Sequence, residues 1–331
     1  MKLKSSLLTF VIQGSIKRKE EVKQSISSVR FFFPDSKIIL STWEGSDYSN
    51  LDFDELVLSK DTPLVSRFYK NLSIENNINR QIISTINGLR KVHTKFAAKI
   101  RTDIVLKSDN LLKILTQANE RSINSFFSSK IIIPYDLSVN PYRVKLLFHF
   151  NDWFVAGRTS DLRKLYNIPL MSMKDLNYNL KPLKKYNFYT FKNWINNNVK
   201  RDELKHILIA RFIPEQYIFK FAALKKNKLD FKDAFSFNRF LLNAHNKFAE
   251  QEILFESSKD IAFICLKHKT TLFTDLLANY TKSYIDRKNK KFNFPDLRFF
   301  YFKSIQLAKL LIYKFSKKTF HKIKCMYESI L

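Results

Sequence analysis

The chain has 331 residues, of which 45% are hydrophobic, and a formal net charge of +28. This length and apolar content suffice for one large domain, with or without an appendage, and exclude a mainly disordered chain. The positive charge is expected to attract polyanions: nucleic acids, phosphorylated substrates or anionic lipid headgroups. The two cysteines, Cys265 and Cys325, are far apart in sequence, so neither a disulfide framework nor a cysteine zinc site is supported.

The N-terminal apolar run is read as a strand and not as an export signal. Residues 7–12 are fewer than the apolar core of a signal peptide requires, and no small-residue cleavage site follows them. No window approaches the ~18 apolar residues of a membrane span. Together with the sparse cysteines, this predicts a cytoplasmic protein that is soluble or attached to a membrane surface.

Predicted strands and helices alternate through the first half of the chain. Strands are expected at residues 7–12, 37–40, 54–60, 95–103, 130–134 and 148–158. Helices are expected at residues 20–32, 73–92 and 110–119. This order predicts an α/β fold with a mostly parallel sheet and helices on both faces.

From about residue 196 the pattern becomes helical, with Pro214 in the first turn of one helix. Residues 281–331 carry 13 Lys/Arg and 3 Asp/Glu, a balance of 13 minus 3, or +10, interleaved with aromatic and aliphatic residues. That composition is typical of a helix lying on an anionic membrane. We therefore predict an α/β domain at residues 1–225 and a basic helical extension at residues 226–331.

Three polar stretches follow predicted strands, where open α/β sheets bind ligands. They are Gln13-Gly14, "STWEGSD" at residues 41–47 and "RTD" at residues 101–103. Arg101 and Asp103 share one face of a strand. An aspartate there can hold a metal against a diphosphate, and an arginine can neutralise phosphate. The alternative is an ordinary ion pair at the end of a strand.

A second polar group lies near the start of the helix predicted at residues 73–92. Asn76, Asn79 and Arg80 are spaced to cluster near its N-terminus, where backbone N–H groups favour phosphate. A polar cap above an apolar helix face explains the same residues equally well.

Further candidates for chemistry lie in "FHFNDWFVAGRTSDL", where Asp152 adjoins Trp153 and follows His149. An indole ring can stack on a hexose, and a desolvated aspartate can take a proton. The alternative is that Trp153 belongs to the core and Asp152 caps a turn. Glu215, directly after Pro214, is either a second acid/base candidate or a stabiliser of a first helical turn.

Motifs for several common enzyme classes are missing from the sequence. It contains no GxxxxGK[ST], GxGxxG, GxSxG or HExxH, which argues against P-loop, dinucleotide-binding, serine-hydrolase and zincin functions. The six histidines form no close pair with ligand spacing. A metal, if bound, is therefore expected to have oxygen ligands.

The ordered segments of residues 8–220 resemble the WavE family of lipopolysaccharide-synthesis proteins. The resemblance is carried by "VIQGSI", "FFFPDSKIILSTWEGSD", "ELVLSKD", "NNINRQIISTINGLRKVHTKFAAKIRTD", "FHFNDWFVAGRTSDL" and "RFIPEQYI". It implies a GT-A-like, Rossmann-like catalytic domain at residues 1–225. The implied activity is that of a glycosyltransferase, which moves a sugar from a nucleotide-sugar donor to a lipopolysaccharide or capsular polysaccharide acceptor at the cytoplasmic face of a bacterial inner membrane.

The resemblance also implies roles for single residues. "RTD" stands at the position of the GT-A DxD signature, so Asp103 would bind a divalent cation, Mg²⁺ or Mn²⁺, against the donor diphosphate. Because Arg101 stands where the general signature has an acid, the cation is expected to be partly dispensable. The other residues implied to border the nucleotide sugar are Gln13, Gly14, Trp43, Glu44, Asn79 and Arg80.

Asp152 is implied to lie near the acceptor. If the enzyme inverts the sugar, Asp152 is the first candidate base and Glu215 the second, with Trp153 and His149 as candidate acceptor contacts. The expected partners are the nucleotide-sugar donor, a lipid-linked saccharide acceptor and an anionic membrane surface bound by the basic tail.

The net charge keeps a second function class open, that of a basic nucleic-acid-binding protein or nuclease. Against it, the acidic and aromatic candidates concentrate at strand ends, while the strongest basic block, residues 281–331, is mixed with apolar residues. We therefore expect no nucleic-acid partner. A non-catalytic assembly scaffold is the third class.

Overall fold

The computed structural model describes residues 3–69, 72–118, 125–142, 146–172, 201–226, 229 and 236–267. Within these, it describes the backbone alone at residues 65–69, 72–74 and 201–213. The basic tail predicted to bind membranes, residues 281–331, lies outside the described residues.

The sheet confirms the predicted α/β class. Its strands are β1 (Leu8–Gln13), β2 (Lys37–Trp43), β3 (Glu55–Ser59), β6 (Phe96–Arg101), β8 (Ile131–Pro134), β9 (Phe154–Arg158) and β10 (Ile253–Glu256). They lie in the order β10-β8-β9-β6-β1-β2-β3. All neighbours are parallel except β9, which runs antiparallel to both β6 and β8.

Two antiparallel pairs accompany this sheet. Strand β4 (Val65–Tyr69) pairs with β5 (Leu72–Asn76), and β7 (Ile104–Leu106) pairs with β11 (Phe263–Cys265). The helices are α1 (Lys19–Phe32), α2 (Ile78–Lys91), α3 (Asn110–Gln117), α4 (Thr159–Tyr166), α5 (Arg201–Lys226), α6 (Arg239–Glu252) and α7 (Ser258–Ile261). Short 3-10 turns lie at Ser5–Leu7 and Tyr135–Leu137.

The sheet separates two hydrophobic cores, because alternate residues of its buried strands face opposite sides. Val11 and Ala97 pack on one face with side chains of α2, α4, α5 and α6, whereas Phe10 and Ala98 pack on the other with α1 and α3. At Gly88 of α2, a Cβ would lie 2.5 Å from Cγ1 of Val11. The close approach of α2 to the sheet therefore requires glycine there.

Several elements begin elsewhere than predicted. Helix α2 starts at Ile78 and not near residue 73, because residues 72–76 form β5. Strand β9 starts at Phe154, since Phe148 has a left-handed backbone (φ 57°) that interrupts the extended run. Helix α5 starts at Arg201, so Pro214 lies inside the helix and not in its first turn.

The sheet also continues past residue 225. Strand β10 forms one edge of the sheet beside β8, and β11 pairs with β7 directly after the "RTD" segment. Residues 253–265, which fall in the predicted helical extension, thus contribute two strands that pair with β8 and β7.

Candidate functional site

The candidate site lies at the edge of the sheet where β1, β2, β3 and β6 end. Because β9 is antiparallel to β6, the loop before β9 reaches the same edge. Gln13 lies opposite Arg101 in the register of β1 and β6, and the Arg101 N–H donates to the carbonyl of Trp153 at 3.2 Å. Strand pairing alone therefore brings "QG", "RTD" and "NDW" together.

The "RTD" turn contains an ion pair and an unused carboxylate oxygen. Nη2 of Arg101 lies 2.6 Å from Oδ2 of Asp103, and the guanidinium carbon lies 4.8 Å from the centroid of the Trp153 ring, a cation–π distance. Asp103 is 5% exposed, and its Oδ1 is buried with no hydrogen-bond partner among the described residues. The strand-end ion pair is thus present, but it involves only one of the two carboxylate oxygens of Asp103.

The turn is held from the far end of the described chain. The N–H of Leu266 donates to the backbone carbonyl of Asp103 at 2.8 Å, and Sγ of Cys265 lies 3.6 Å from Oδ2 of the same residue. The register of the β7–β11 pair places Cys265 opposite Ile104. The strand β11 therefore fixes the backbone on which Asp103 sits.

A buried lysine lies beside Asp152, and sequence analysis missed it. Lys99 of β6 is fully buried, and its Nζ donates to the backbone carbonyl of Asp152 and lies 3.3 Å from Oδ2 of that residue. The ring centroid of Tyr166, from α4, is 5.9 Å from Nζ. Burial lowers the pKa of Lys99, while the charge of Asp152 opposes that shift.

The signal for Lys99 is the spacing of "KIRTD". Lys99, Arg101 and Asp103 alternate with residues of the opposite face, and Lys99 stands between Ala98 and Ile100 in a strand whose other residues before Arg101 are apolar. A lysine at a buried strand position implies a buried partner. In a lysine-rich chain this signal is easily overlooked.

Glu215 and His149 form a second buried pair. Oε2 of Glu215 lies 3.8 Å from Nε2 of His149, and both residues are buried. Burial raises the pKa of Glu215 well above its usual value, and the charge of Asp152 adds to the rise. Burial lowers the pKa of His149 to about 4. At neutral pH His149 is therefore uncharged and burial favours the protonated form of Glu215, so the contact is not an ion pair.

Asn79 and Arg80 are engaged by other parts of the chain. Nδ2 of Asn79 donates to the carbonyl of Met171 at 2.9 Å, and Oδ1 accepts from the N–H of Met171 at 2.7 Å. Arg80 makes two contacts with Asp61, at 2.7 and 2.6 Å. Asn76 accepts from the N–H of Ile78 at 2.9 Å. In this geometry the three residues cap and tether α2.

The remaining donor candidates line the ends of β1 and β2. Oε1 of Gln13 accepts from Oγ of Ser84 at 2.6 Å, and its carbonyl accepts from the N–H of Thr102. Gly14, at φ +127°, adopts a backbone conformation that favours glycine. Further along the edge, Trp43 ends β2 and is mostly buried, and Glu44 is exposed. Gln13 and Gly14 thus border the "RTD" turn directly.

The described residues include no cluster of three His, Cys, Asp or Glu side chains that could hold a metal ion. Mg²⁺ is often bound by only one or two carboxylates, with substrate phosphates and water completing its shell. The buried, unused Oδ1 of Asp103 fits a ligand of that kind. Asp103 would then be the protein ligand, with the other ligands supplied by phosphate and water.

Two comparisons and one property of the helices bear on identity. A protein-family model described as WavE lipopolysaccharide synthesis matches residues 8–305, which is most of the chain. None of the curated proteins compared with the chain matches it. Over the residues that the structure describes, no helix has the length and apolar character needed to cross a membrane.

Proposed function

Since the chain belongs to the WavE lipopolysaccharide synthesis family, we propose that it is a glycosyltransferase. It moves a sugar from a nucleotide-sugar donor to a lipopolysaccharide or capsular polysaccharide acceptor. The observation that carries this proposal is the turn after β6, where Arg101 and Asp103 stand together at the carboxyl edge of the sheet. Open α/β sheets bind their ligands at this edge.

On the donor side, positive charge must offset the charge that develops on the departing diphosphate. The side chain of Arg101 is 23% exposed, so its guanidinium can reach a ligand while it remains tied to Asp103. A guanidinium matches phosphate oxygens in a bidentate manner. When bound, a divalent cation at Asp103 would supply further positive charge against the diphosphate.

On the acceptor side, Trp153 offers an aromatic surface and Asp152 a carboxylate. The Trp153 ring is half-buried beside Arg101, and Asp152 directly precedes it in the loop before β9. Donor and acceptor candidates are therefore neighbours in space. His149 is buried and contacts Glu215, and it would act on the acceptor through that contact.

The site of action is proposed to be the cytoplasmic face of the bacterial inner membrane. The support is the charge of residues 281–331, which contain 13 Lys/Arg and 3 Asp/Glu. Basic segments with apolar partners bind anionic lipid surfaces.

The test is binding of nucleoside diphosphates and nucleotide sugars, measured by thermal shift and titration calorimetry, with and without Mn²⁺. We expect one nucleotide class to stabilise the wild-type protein saturably and Asp103→Asn to weaken its binding at least ~10-fold, or about 1.4 kcal/mol. The matched control is Asp52→Asn, which breaks an exposed contact with Arg30 and should leave binding unchanged.

Two results would overturn the proposal. One is that no nucleoside diphosphate or nucleotide sugar binds the wild-type protein. The other is steeply salt-dependent binding to duplex DNA in place of nucleotide binding, which would favour the nucleic-acid-binding class.

A further inference from the structure

The burial of Lys99 is energetically unfavourable. Its side chain has no exposure, and its only ion-pair partner among the described residues is Asp152, which is 2% exposed. Buried ion pairs seldom stabilise a fold more than apolar residues of the same size would. Stability alone is therefore a weak reason for a lysine at this position.

The hydrogen-bonding contacts of Lys99 are directed at one residue. Nζ donates to the backbone carbonyl of Asp152 and lies 3.3 Å from its Oδ2. Because the lysine contacts both the backbone carbonyl and one carboxylate oxygen of Asp152, it fixes the position and the rotation of that carboxylate. Oδ1 of Asp152 is left buried, with no hydrogen-bond partner among the described residues. That oxygen is the one left to accept a proton.

The surroundings of Asp152 differ from those of Glu215, the second buried carboxyl group. Among the residues that the structure describes, four charged or titratable groups interact with Asp152, from β6, from its own loop, from α4 and from α5; they are Lys99, His149, Tyr166 and Glu215, and Arg101 acts on Lys99 and Glu215. Over the described part of the chain, Asp152 has a cation within 4 Å, whereas Glu215 has only His149 at 3.8 Å.

We propose that Lys99 is a positioning residue, which holds Asp152 as the ionised carboxylate and leaves Glu215 as its uncharged neighbour. This inference rests on the proposed function and assigns the base of that reaction. In a transfer that inverts the sugar, the acceptor oxygen bonds to the anomeric carbon and its proton passes to Oδ1 of Asp152. The bond from that carbon to the diphosphate breaks, and its electron pair leaves with the nucleotide.

The charge states of the neighbours agree with this assignment. Burial raises the pKa of Glu215, which favours the protonated form of this carboxyl group. Burial lowers the pKa of His149 to about 4, so the ring brings no positive charge to Glu215. A base must be unprotonated to accept a proton, and among the described residues only Asp152, of the two carboxyl groups, has a lysine or arginine nitrogen within 4 Å to favour that form.

Infrared spectroscopy tests the charge assignment without any substrate, because protonated and ionised carboxyl groups absorb at different frequencies. At neutral pH, Glu215→Gln should remove a protonated-carboxyl band, and Asp152→Asn should retain it. Lys99→Met should add a second band, which the double variant Lys99→Met/Asp152→Asn should lack. If Asp152→Asn removes the wild-type band and Glu215→Gln does not, the assignment is overturned even when no Lys99 variant folds.

Turnover of a nucleotide sugar tests the positioning role. We expect Lys99→Met to lower kcat by ~10²-fold or more, the usual contribution of a general base, with the donor KM changed by less than ~3-fold. The acidic limb of its pH–rate profile should move to higher pH. Lys226→Met is the control, because it breaks another lysine–carboxylate pair, in which Lys226 is partly buried and Glu252 is buried, and should retain wild-type kcat and pH profile.

The two hypotheses fail in different ways. A wild-type protein that binds and turns over no nucleotide sugar defeats the proposed function and the base role with it, while the spectra still decide which carboxyl group is charged. A Lys99→Met protein with wild-type kcat and pH profile defeats the positioning role alone.

Discussion

Nη2 of Arg101 lies 2.6 Å from Oδ2 of Asp103, while the same guanidinium rests 4.8 Å from the centre of the Trp153 ring. One side chain thus links the carboxylate and the ring across β6 and the loop before β9. It also holds a permanent positive charge beside the carboxylate proposed to bind the cation. The protein is therefore expected to retain part of its donor affinity without a divalent ion.

Arg101→Met should make nucleotide binding depend strictly on the cation. We expect affinity for a nucleoside diphosphate to fall at least ~10-fold with Mn²⁺ present. With EDTA, binding should be lost in the variant and only weakened in the wild type. Arg101→Lys keeps the charge but not the planar group, so intermediate affinity is expected. Calorimetry in both buffers decides, and equal binding of Arg101→Met and wild type in EDTA contradicts the idea.

Asn79→Ala should destabilise the fold, because it leaves the N–H and carbonyl of Met171 without the partners at 2.7 and 2.9 Å. The expected loss is ~1–3 kcal/mol in the free energy of unfolding, measured in urea. The control is Asn87→Ala on the same helix, where the amide donates to Oγ of Ser59 in a partly exposed place and less should be lost. Unchanged stability with weakened nucleotide binding would instead favour the donor contact implied by the family resemblance.

His149 should make the protein less stable in mild acid. Its pKa is about 4 in the folded protein, against 6.5 as the ordinary value. Between these values the unfolded chain takes up a proton that the folded protein refuses, so stability falls as the pH drops from 6.5 to 4. The loss reaches about 3 kcal/mol. Above pH 6.5 the group is neutral in both states and adds no pH dependence.

The measurement is the unfolding free energy of wild type and His149→Gln across that pH range. The variant should lose less stability than the wild type on acidification. His93→Gln, at an exposed histidine, is the control and should follow the wild-type slope. Parallel curves for wild type and His149→Gln would show that His149 does not titrate as described.

Glu215 should make the protein less stable as the pH rises, which is opposite to the effect of His149. Its pKa is raised above the ordinary value of 4.5 by burial, so above pH 4.5 the folded protein keeps a proton that the unfolded chain releases. The associated stability is complete below pH 4.5 and declines as the pH rises toward the raised pKa. Glu215→Gln should therefore gain stability relative to wild type as the pH rises. Glu250→Gln, exposed on α6, should not.

Removal of residues 281–331 should release the protein from anionic vesicles, because the segment carries a local charge of 13 minus 3. Co-sedimentation with vesicles that contain phosphatidylglycerol measures the binding. Nucleotide binding by the shortened protein is the control and should persist. Undiminished vesicle binding would refute the membrane role of the segment.

The elements with strong apolar patterns were predictable, and those defined by long-range contacts were not. The run "KIIL" marked the start of β2, but the strand continues to Trp43 through Ser41 and Thr42, which look like loop residues and are fully buried. Oγ of Ser41 is satisfied by the carbonyl of Ser84, on a helix 43 residues away. No local pattern contains that partner.

The residues of the candidate site also fall into those that the sequence predicted and those that it did not. Asp103 and Asp152 stood out because each stands close to a residue suited to ligand binding, Arg101 at a strand end and Trp153 in the next motif, and the fold does bring their segments to one edge. Lys99 did not stand out, because its partner is 53 residues away and a lysine in a lysine-rich chain is read as surface. Pro214 suggested a helix start from local rules alone, although the helix had already begun at Arg201.

The hydrogen bond from Leu266 to the carbonyl of Asp103 has a consequence for the order of folding. On the ribosome, the "RTD" turn emerges long before its brace, since Cys265 follows Asp103 by 162 residues. Contacts between such distant residues form late, because a long loop must close first. A nascent chain can thus build β1, β2, β3 and β6 early, yet the backbone beneath Asp103 is braced only when β11 has been synthesised.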